Sequence, residues 1–214
     1  MATVERQREP RHNLVLYHLL KWSAVSPLLH TYFRGRIYGV ENVPQTQPVI
    51  VVSNHASNFD PPIVANCVGR PVAFMAKQEL FEVPVLQRVI RWYGAYPVKR
   101  NKGDRAAIRA TLKALESGWA VGMFIQGTRR EDEQITNPKI GAALIAAKAQ
   151  VPLIPVSLWG TAGIEKNTTI PRPVPVTIRI GEAIAPPHST ERDRLEQVTQ
   201  HCAEVINQMH SLGR

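Results

Sequence analysis

Two cysteines, Cys67 and Cys202, are all the thiols the chain holds. They lie far apart in no pairing motif, which argues against a disulfide framework and fits a reducing compartment. Disulfides are not needed, because 214 residues are near the size of one domain and enough to bury a core. The seven histidines are scattered, with no His-Glu-x-x-His and no His/Cys cluster, so no metal site is expected. Internal repeats and low-complexity tracts are missing. The first dozen residues, "MATVERQREPRH", lack the apolar stretch of a secretory signal. Aromatic residues make up only 7% of the chain, most of them in its N-terminal stretch or in predicted strands. That is little for a nucleic-acid-binding module, which needs basic residues interleaved with stacking rings.

Acidic residues are also scarce. Against 17 Asp and Glu stand 26 Lys and Arg, a formal charge of +9. Such a chain is drawn to anionic surfaces, nucleic acid or acidic lipid, although the same charge also serves simple solubility.

Nor is there a long uninterrupted apolar run. The nearest is residues 14–33, "LVLYHLLKWSAVSPLLHTYF", which His18, Lys21 and Pro27 break. A helix of that length would cover a bilayer core of roughly 30 Å. A lysine near its centre costs about 2.5–3.5 kcal/mol on insertion. The pattern predicts a bent helix or helix pair lying in a membrane interface, with Tyr17, Trp22, Tyr32 and Phe33 as anchors. Arg6, Arg8, Arg11, Lys21, Arg34 and Arg36 would then sit near lipid phosphates. The competing expectation is an amphipathic helix packed on the protein's own core.

Beyond residue 40, short β-rich runs alternate with helical patterns. Strands are predicted at 48–54, 72–76, 95–98, 119–125, 152–159 and 176–181. Helices are predicted between 103 and 118, ended by Gly118, at 140–150, and over the last stretch from 189. In the first, Ile108, Leu112 and Leu115 form one apolar stripe. Thr190, with Asp193 three residues on, predicts the start of the last. This alternation predicts an α/β layered domain with a largely parallel central sheet flanked by helices. The Pro-rich run 171–176 reads as a loop. The expected division is a helical segment over residues 1–36 and one globular domain over 37–214.

Four stretches carry candidate chemistry. In "NHASNFD", residues 54–60, His55 and Asp60 follow a predicted strand, where open α/β sheets bind ligands. Asp60 can orient one imidazole nitrogen and leave the other as a base, or simply cap a helix ahead of Pro61–Pro62. Asn54, Ser57 and Asn58 read as turn formers. In "FIQGTRR", residues 124–130, Gly127, Thr128 and the two arginines suit an anion cup or a solvated basic turn. "GAYPVKR", residues 94–100, adds Lys99 and Arg100 at a strand end. "VPLIPVSLWG", residues 151–160, reads as a core strand with constrained ends.

In this order the stretches resemble the 1-acylglycerol-3-phosphate acyltransferase family, the lysophosphatidic acid acyltransferases. The family's blocks are His-x4-Asp, Gly…Arg, Phe-Pro-Glu-Gly-Thr-Arg and Val-Pro-x-x-Pro-Val. Their matches are His55 and Asp60; Gly94 and Arg100; Phe124, Gly127, Thr128 and Arg129; and Val151, Pro152, Pro155 and Val156. The likeness covers roughly residues 37–185 and implies one glycerophospholipid-acyltransferase-like domain. It implies that His55 is the general base, oriented by Asp60, for acyl transfer from acyl-CoA or acyl carrier protein to a lysophospholipid hydroxyl. Gly127, Thr128 and Arg129 would bind the substrate phosphate with Arg100, and Lys99 and Gln126 are further substrate-binding candidates. The likeness further implies no metal or cofactor, an anionic membrane surface as partner, no nucleic acid, and a peripheral or monotopic place on the cytoplasmic face of a membrane.

Two departures stand out. Where the family has Pro-Glu before Gly-Thr-Arg, this chain has Ile125 and Gln126, and an acid usual before the arginine of the second block is Lys99 here. An amide keeps hydrogen-bonding capacity but drops a negative charge. Two unit charges 4 Å apart interact by roughly 4 kcal/mol at an effective dielectric of 20. These changes leave other acceptors open, such as glycerol 3-phosphate or a lysophospholipid with a head group. A non-catalytic membrane-binding relative is a third expectation, against which the intact His55–Asp60 pair weighs.

Overall fold

A computed structural model describes residues 11–84, 87–88, 90, 95–98, 104–165 and 171–214. Its centre is a seven-stranded sheet ordered β1-β7-β6-β2-β5-β3-β4. The strands are β1 (Arg36–Tyr38), β2 (Ile50–Ser53), β3 (Val72–Lys77), β4 (Tyr96–Val98), β5 (Ala120–Phe124), β6 (Leu153–Trp159) and β7 (Thr177–Ile180). Every pairing is parallel except β6 with β7. All four residues of β2 are buried, as expected of a central parallel strand covered on both faces. Six of the seven strands fall on predicted runs. β1 was not predicted: its three residues, "RIY", are too short to show alternation, and β7 recruits them by pairing.

The helices are α1 (Arg11–Leu20), α2 (Asp60–Cys67), α3 (Asp104–Glu116), α4 (Gly141–Ala149) and α5 (Arg192–Ser211). On one side of the sheet, Val49, Val51, Ile63, Val64, Ile154 and Ile178 form a continuous core. On the other, Ile50, Val52, Val121, Leu153, Ile145 and Ile206 form a second, joined by the predicted Leu115 stripe of α3. α4 is alanine-rich because it is sandwiched: Ala142, Ala143, Ala146 and Ala147 are all buried. α5 begins one residue later than Thr190 would set it. Glu191 stands at the cap without a side-chain cap bond, and Ser189 Oγ accepts from the Glu191 amide at 3.4 Å.

Of the two expectations for residues 14–33, the structure shows the helix packed on the protein's own core. α1 runs on through two π-helical turns, Lys21–Val25 and Leu28–Tyr32. Tyr17, Leu29 and Phe33 are buried, and the Tyr17 hydroxyl donates to the Ala65 carbonyl at 3.0 Å. Val15, Leu19 and Trp22 face outward, Trp22 with 66% of its surface exposed. Their spacing of four and three residues makes one apolar stripe on the outer face. No helix among the described residues is long and apolar enough to cross a membrane.

Candidate active site

β2 lies between β5 and β6, and Ser53 is in register with Phe124 on one side and Val156 on the other. Two strand ends, of β2 and β5, therefore deliver their loops to one place, carrying "NHASNFD" and "FIQGTRR", while β6 runs on to Trp159. The Ile125 amide extends the ladder by donating to Ser53 O at 3.1 Å. The chain then turns, with Gly127 N–H on Phe124 O at 2.9 Å. Gly127 has φ +73°, the left-handed region that glycine adopts without steric cost. The chain returns so that Arg130 N–H meets the His55 carbonyl at 2.8 Å. The two motifs are thus hydrogen-bonded to each other through the main chain.

Asp60 is the first residue of α2, with Phe59 at the cap position. Pro61 and Pro62 follow, where the amides they lack would have no helical partner. The Asp60 carboxylate does not cap its own helix; it points back into the preceding turn. Its Oδ2 receives His55 Nδ1 at 2.8 Å and the amides of Ala56 and Ser57 at 2.7 and 2.8 Å. Three donors on one oxygen hold the carboxylate in a single orientation. With a carboxylate at Nδ1, the ring's proton belongs there, and Nε2 keeps its lone pair. Asp60 is fully buried while the His55 side chain is 17% exposed, so the pair opens to solvent on the histidine side.

The imidazole also lies flat on Phe124, with centroids 3.8 Å apart and planes 11° apart. Phe74 stacks on Phe124 from β3 at 5.5 Å. Room for Phe74 comes from Gly122 on β5, where a Cβ would run into the Phe74 ring.

The other candidate residues divide. Gly127, Thr128 and Arg129 are all exposed beside the pair. Among the described residues no hydrogen bond or ion pair engages the Thr128 or Arg129 side chain. Arg130 is instead committed to Asp132, at 2.7 Å. Gln126 is buried and faces away from the turn: its Nε2 donates to Gln134 O at 2.7 Å, and its Oε1 accepts from Thr136 N at 3.2 Å. Both ends of the amide tie the 134–136 loop to β5. Gly94, Lys99 and Arg100 lie outside the described residues. No cluster of potential metal ligands occurs among the described residues.

Other polar residues at the site carried no local signal. Glu165 accepts from Ser57 Oγ at 2.8 Å, Asn58 N at 2.7 Å and Asn58 Nδ2 at 2.9 Å. Burial pushes its carboxyl pKa up, but the Asn58 and Ser57 hydrogen bonds and the Arg129 charge outweigh that and hold it low. Asn54, read from sequence as a turn former, is buried and bonded to β6. Glu133 and His210 lie 77 positions apart and meet at 2.9 Å. Burial likewise raises the Glu133 pKa, and bonds from His210, Ala162 and Gly160 more than reverse it. Nothing short of the fold pairs residues so distant in sequence.

Comparison with known proteins gives the family. The acyltransferase family model matches residues 34–159, more than half of the chain and the span holding both motifs. A chloroplastic 1-acyl-sn-glycerol-3-phosphate acyltransferase of Brassica napus is 30% identical over 159 residues, 72% of this chain and 45% of the relative. A probable 1-acyl-sn-glycerol-3-phosphate acyltransferase of Mycoplasma genitalium is 36% identical over 56% of this chain and 48% of its own length. This chain thus spans about half the length of these relatives. The crystal structure of the 1-acyl-sn-glycerophosphate (LPA) acyltransferase PlsC from Thermotoga maritima matches with a TM-score of 0.76. That match has 25% identity and covers 92% of this chain and 80% of the other. On its sheet order, its two joined motifs and these likenesses, the chain belongs to the acyltransferase family.

Proposed function

We propose that this protein transfers an acyl group from an acyl thioester to the free sn-2 hydroxyl of 1-acylglycerol 3-phosphate, giving phosphatidic acid. The observation that carries this is the His55–Asp60 pair, buried on the Asp60 side, open on the His55 side, and bonded to a glycine turn bearing Thr128 and Arg129. His55 Nε2 takes the proton of the hydroxyl as its oxygen attacks the thioester carbonyl carbon. The tetrahedral intermediate collapses, the carbon–sulfur bond breaks, and the thiol leaves with the proton from His55. Asp60 holds the ring and stabilises the imidazolium formed between these steps. At the turn that Gly127 makes, the Thr128 hydroxyl and the Arg129 guanidinium bind the substrate phosphate, with Arg100 and Lys99 assisting. A charge-assisted bond of this kind contributes roughly 1.5–3 kcal/mol. The co-substrate is acyl-CoA or acyl carrier protein, and no metal or cofactor enters these steps.

Both acyl chains partition into a bilayer, so the site must work at a membrane surface. Val15, Leu19 and Trp22 supply an exposed apolar stripe. Lys21 lies over the Trp22 ring at 5.5 Å, and Arg34 and Arg36 are exposed nearby in sequence. An amphipathic segment of this make binds in the headgroup region. Residues 1–36 act as this interfacial segment and 37–214 as the catalytic domain, on the cytoplasmic face. The segment is not detachable, because Tyr17, Leu29 and Phe33 belong to the core.

A panel of acceptors tests the substrate. Purified protein with a labelled acyl thioester is expected to acylate 1-acylglycerol 3-phosphate fastest. Equal or better rates on glycerol 3-phosphate, or on lysophospholipids without a phosphate monoester, would overturn the assignment.

A further inference from the structure

His55 is held by Asp60 through its ring, but its main chain is held from the other side. Asn54, the residue before it, is 1% exposed, and its amide is fully engaged. Nδ2 donates to Leu158 O at 2.7 Å and to Glu133 O at 3.0 Å, while Oδ1 accepts from Leu158 N at 2.8 Å. Asn54 therefore clamps the end of β2 to β6 and to residue 133.

Residue 133 is itself unusual. Glu133 has φ +56°, a conformation costly for a side chain with a Cβ and kept only where the surroundings enforce it. The enforcement is visible. Its carboxylate sits in a cradle of main-chain N–H groups, Gly160 at 2.9 Å and Ala162 at 2.6 Å, and accepts from His210 Nε2 at 2.9 Å. Gln134 Nε2 meets His210 Nδ1 at 2.9 Å, so an amide donor faces Nδ1 and the ring proton is set on Nε2. Among the described residues, His210 is the only basic side chain in ion-pair range of this buried carboxylate. His210 comes from the last turn of α5, whose Asn207 also bonds both main-chain groups of Ile135 at 2.9 Å.

We propose that Glu133 and His210 are positioning residues: acting through Asn54, they let the C-terminal helix α5 fix the main chain that carries His55. The route is a chain of named bonds, His210 to the Glu133 carboxylate, the Glu133 carbonyl to Asn54, and Asn54 by its peptide link to His55. None of these groups is among those proposed above to touch substrate. Their effect is on where the imidazole stands, so it belongs to the chemical step and not to acceptor binding. This rests on the transfer reaction proposed above only for its kinetic readout.

The test uses the full chain with His210→Ala and His210→Gln, the latter keeping an N–H donor near the Nε2 position. Both are assayed for acyl transfer to 1-acylglycerol 3-phosphate below their melting temperatures. Both are also followed by NMR with labelled histidine. Expected for His210→Ala is a kcat about tenfold lower with KM unchanged, together with shifted His55 ring signals. His210→Gln should regain most of kcat and the native His55 signals. A folded His210→Ala with native kcat and unmoved His55 signals would overturn the proposal, as would a His210→Gln that fails to recover. The spectra decide even if wild type does not acylate this acceptor, which would overturn the substrate assignment alone.

Discussion

The His55 imidazole rests face to face on the Phe124 ring, with centroids 3.8 Å apart. These residues stand on adjacent strands, one just past the end of β2 and the other at the end of β5. The contact fixes the plane of the base. It also gives the imidazolium formed during proton transfer an aromatic face, an attraction of about 0.5–2 kcal/mol.

Phe124→Leu keeps the apolar volume and removes the aromatic face. Because the attraction is strongest when the ring is charged, kcat is expected to fall by up to about tenfold with a smaller change in KM. Steady-state kinetics checks this; an unchanged kcat would leave Phe124 a packing residue.

Gln126→Glu replaces the donor on Gln134 O with a carboxylate oxygen and leaves that carbonyl without its partner. A cost of roughly 1–3 kcal/mol follows, which for a chain of this size lowers Tm by several degrees. The loss should shrink at acidic pH, where the new carboxyl can be protonated. Transfer is retained. Equal melting curves at neutral pH would contradict the inward role of this amide.

Leu19→Ser with Trp22→Ser removes two exposed apolar side chains that touch no core. Each is worth roughly 1.5–3 kcal/mol if buried in lipid, so binding to anionic vesicles should weaken at least about tenfold per residue. Thermal stability should not change. Sedimentation with vesicles containing phosphatidic acid checks the first expectation, and unaltered binding would contradict the interfacial role.

Glu133 gives a pH signature. The bonds from His210, Ala162 and Gly160 hold its folded-state pKa below the unfolded value of about 4.3 despite burial. Between the two values the unfolded chain carries the extra proton, so the stability this group contributes is present above about pH 4.3 and fades as pH falls through the folded pKa. The Tm of wild type should therefore converge on that of Glu133→Gln as the solution is acidified. Curves separated by a constant gap down to acid pH would contradict it.

Most of the sheet was legible because parallel central strands are continuous apolar runs, as "VIVVS" and "PLIPVSLW" are. The His55–Asp60 contact was legible because five residues across a turn can meet. β1 was hidden because three residues show no period. Gln126 was misplaced for a different reason: the residues that follow it, Gly127 to Arg130, are exposed, yet its own side chain turns inward to a loop eight residues on. The Glu133–His210 bond depends on α5 folding back beside β6, information that no short window contains.

The central claim is that His55 is the base. Wild type and His55→Ala should be compared for transfer of a labelled acyl group from its thioester to 1-acylglycerol 3-phosphate, with melting curves alongside. The variant is expected to fold and to lose at least about 100-fold in rate, the low end for a positioned base. A folded His55→Ala protein that transfers at the wild-type rate would contradict the mechanism.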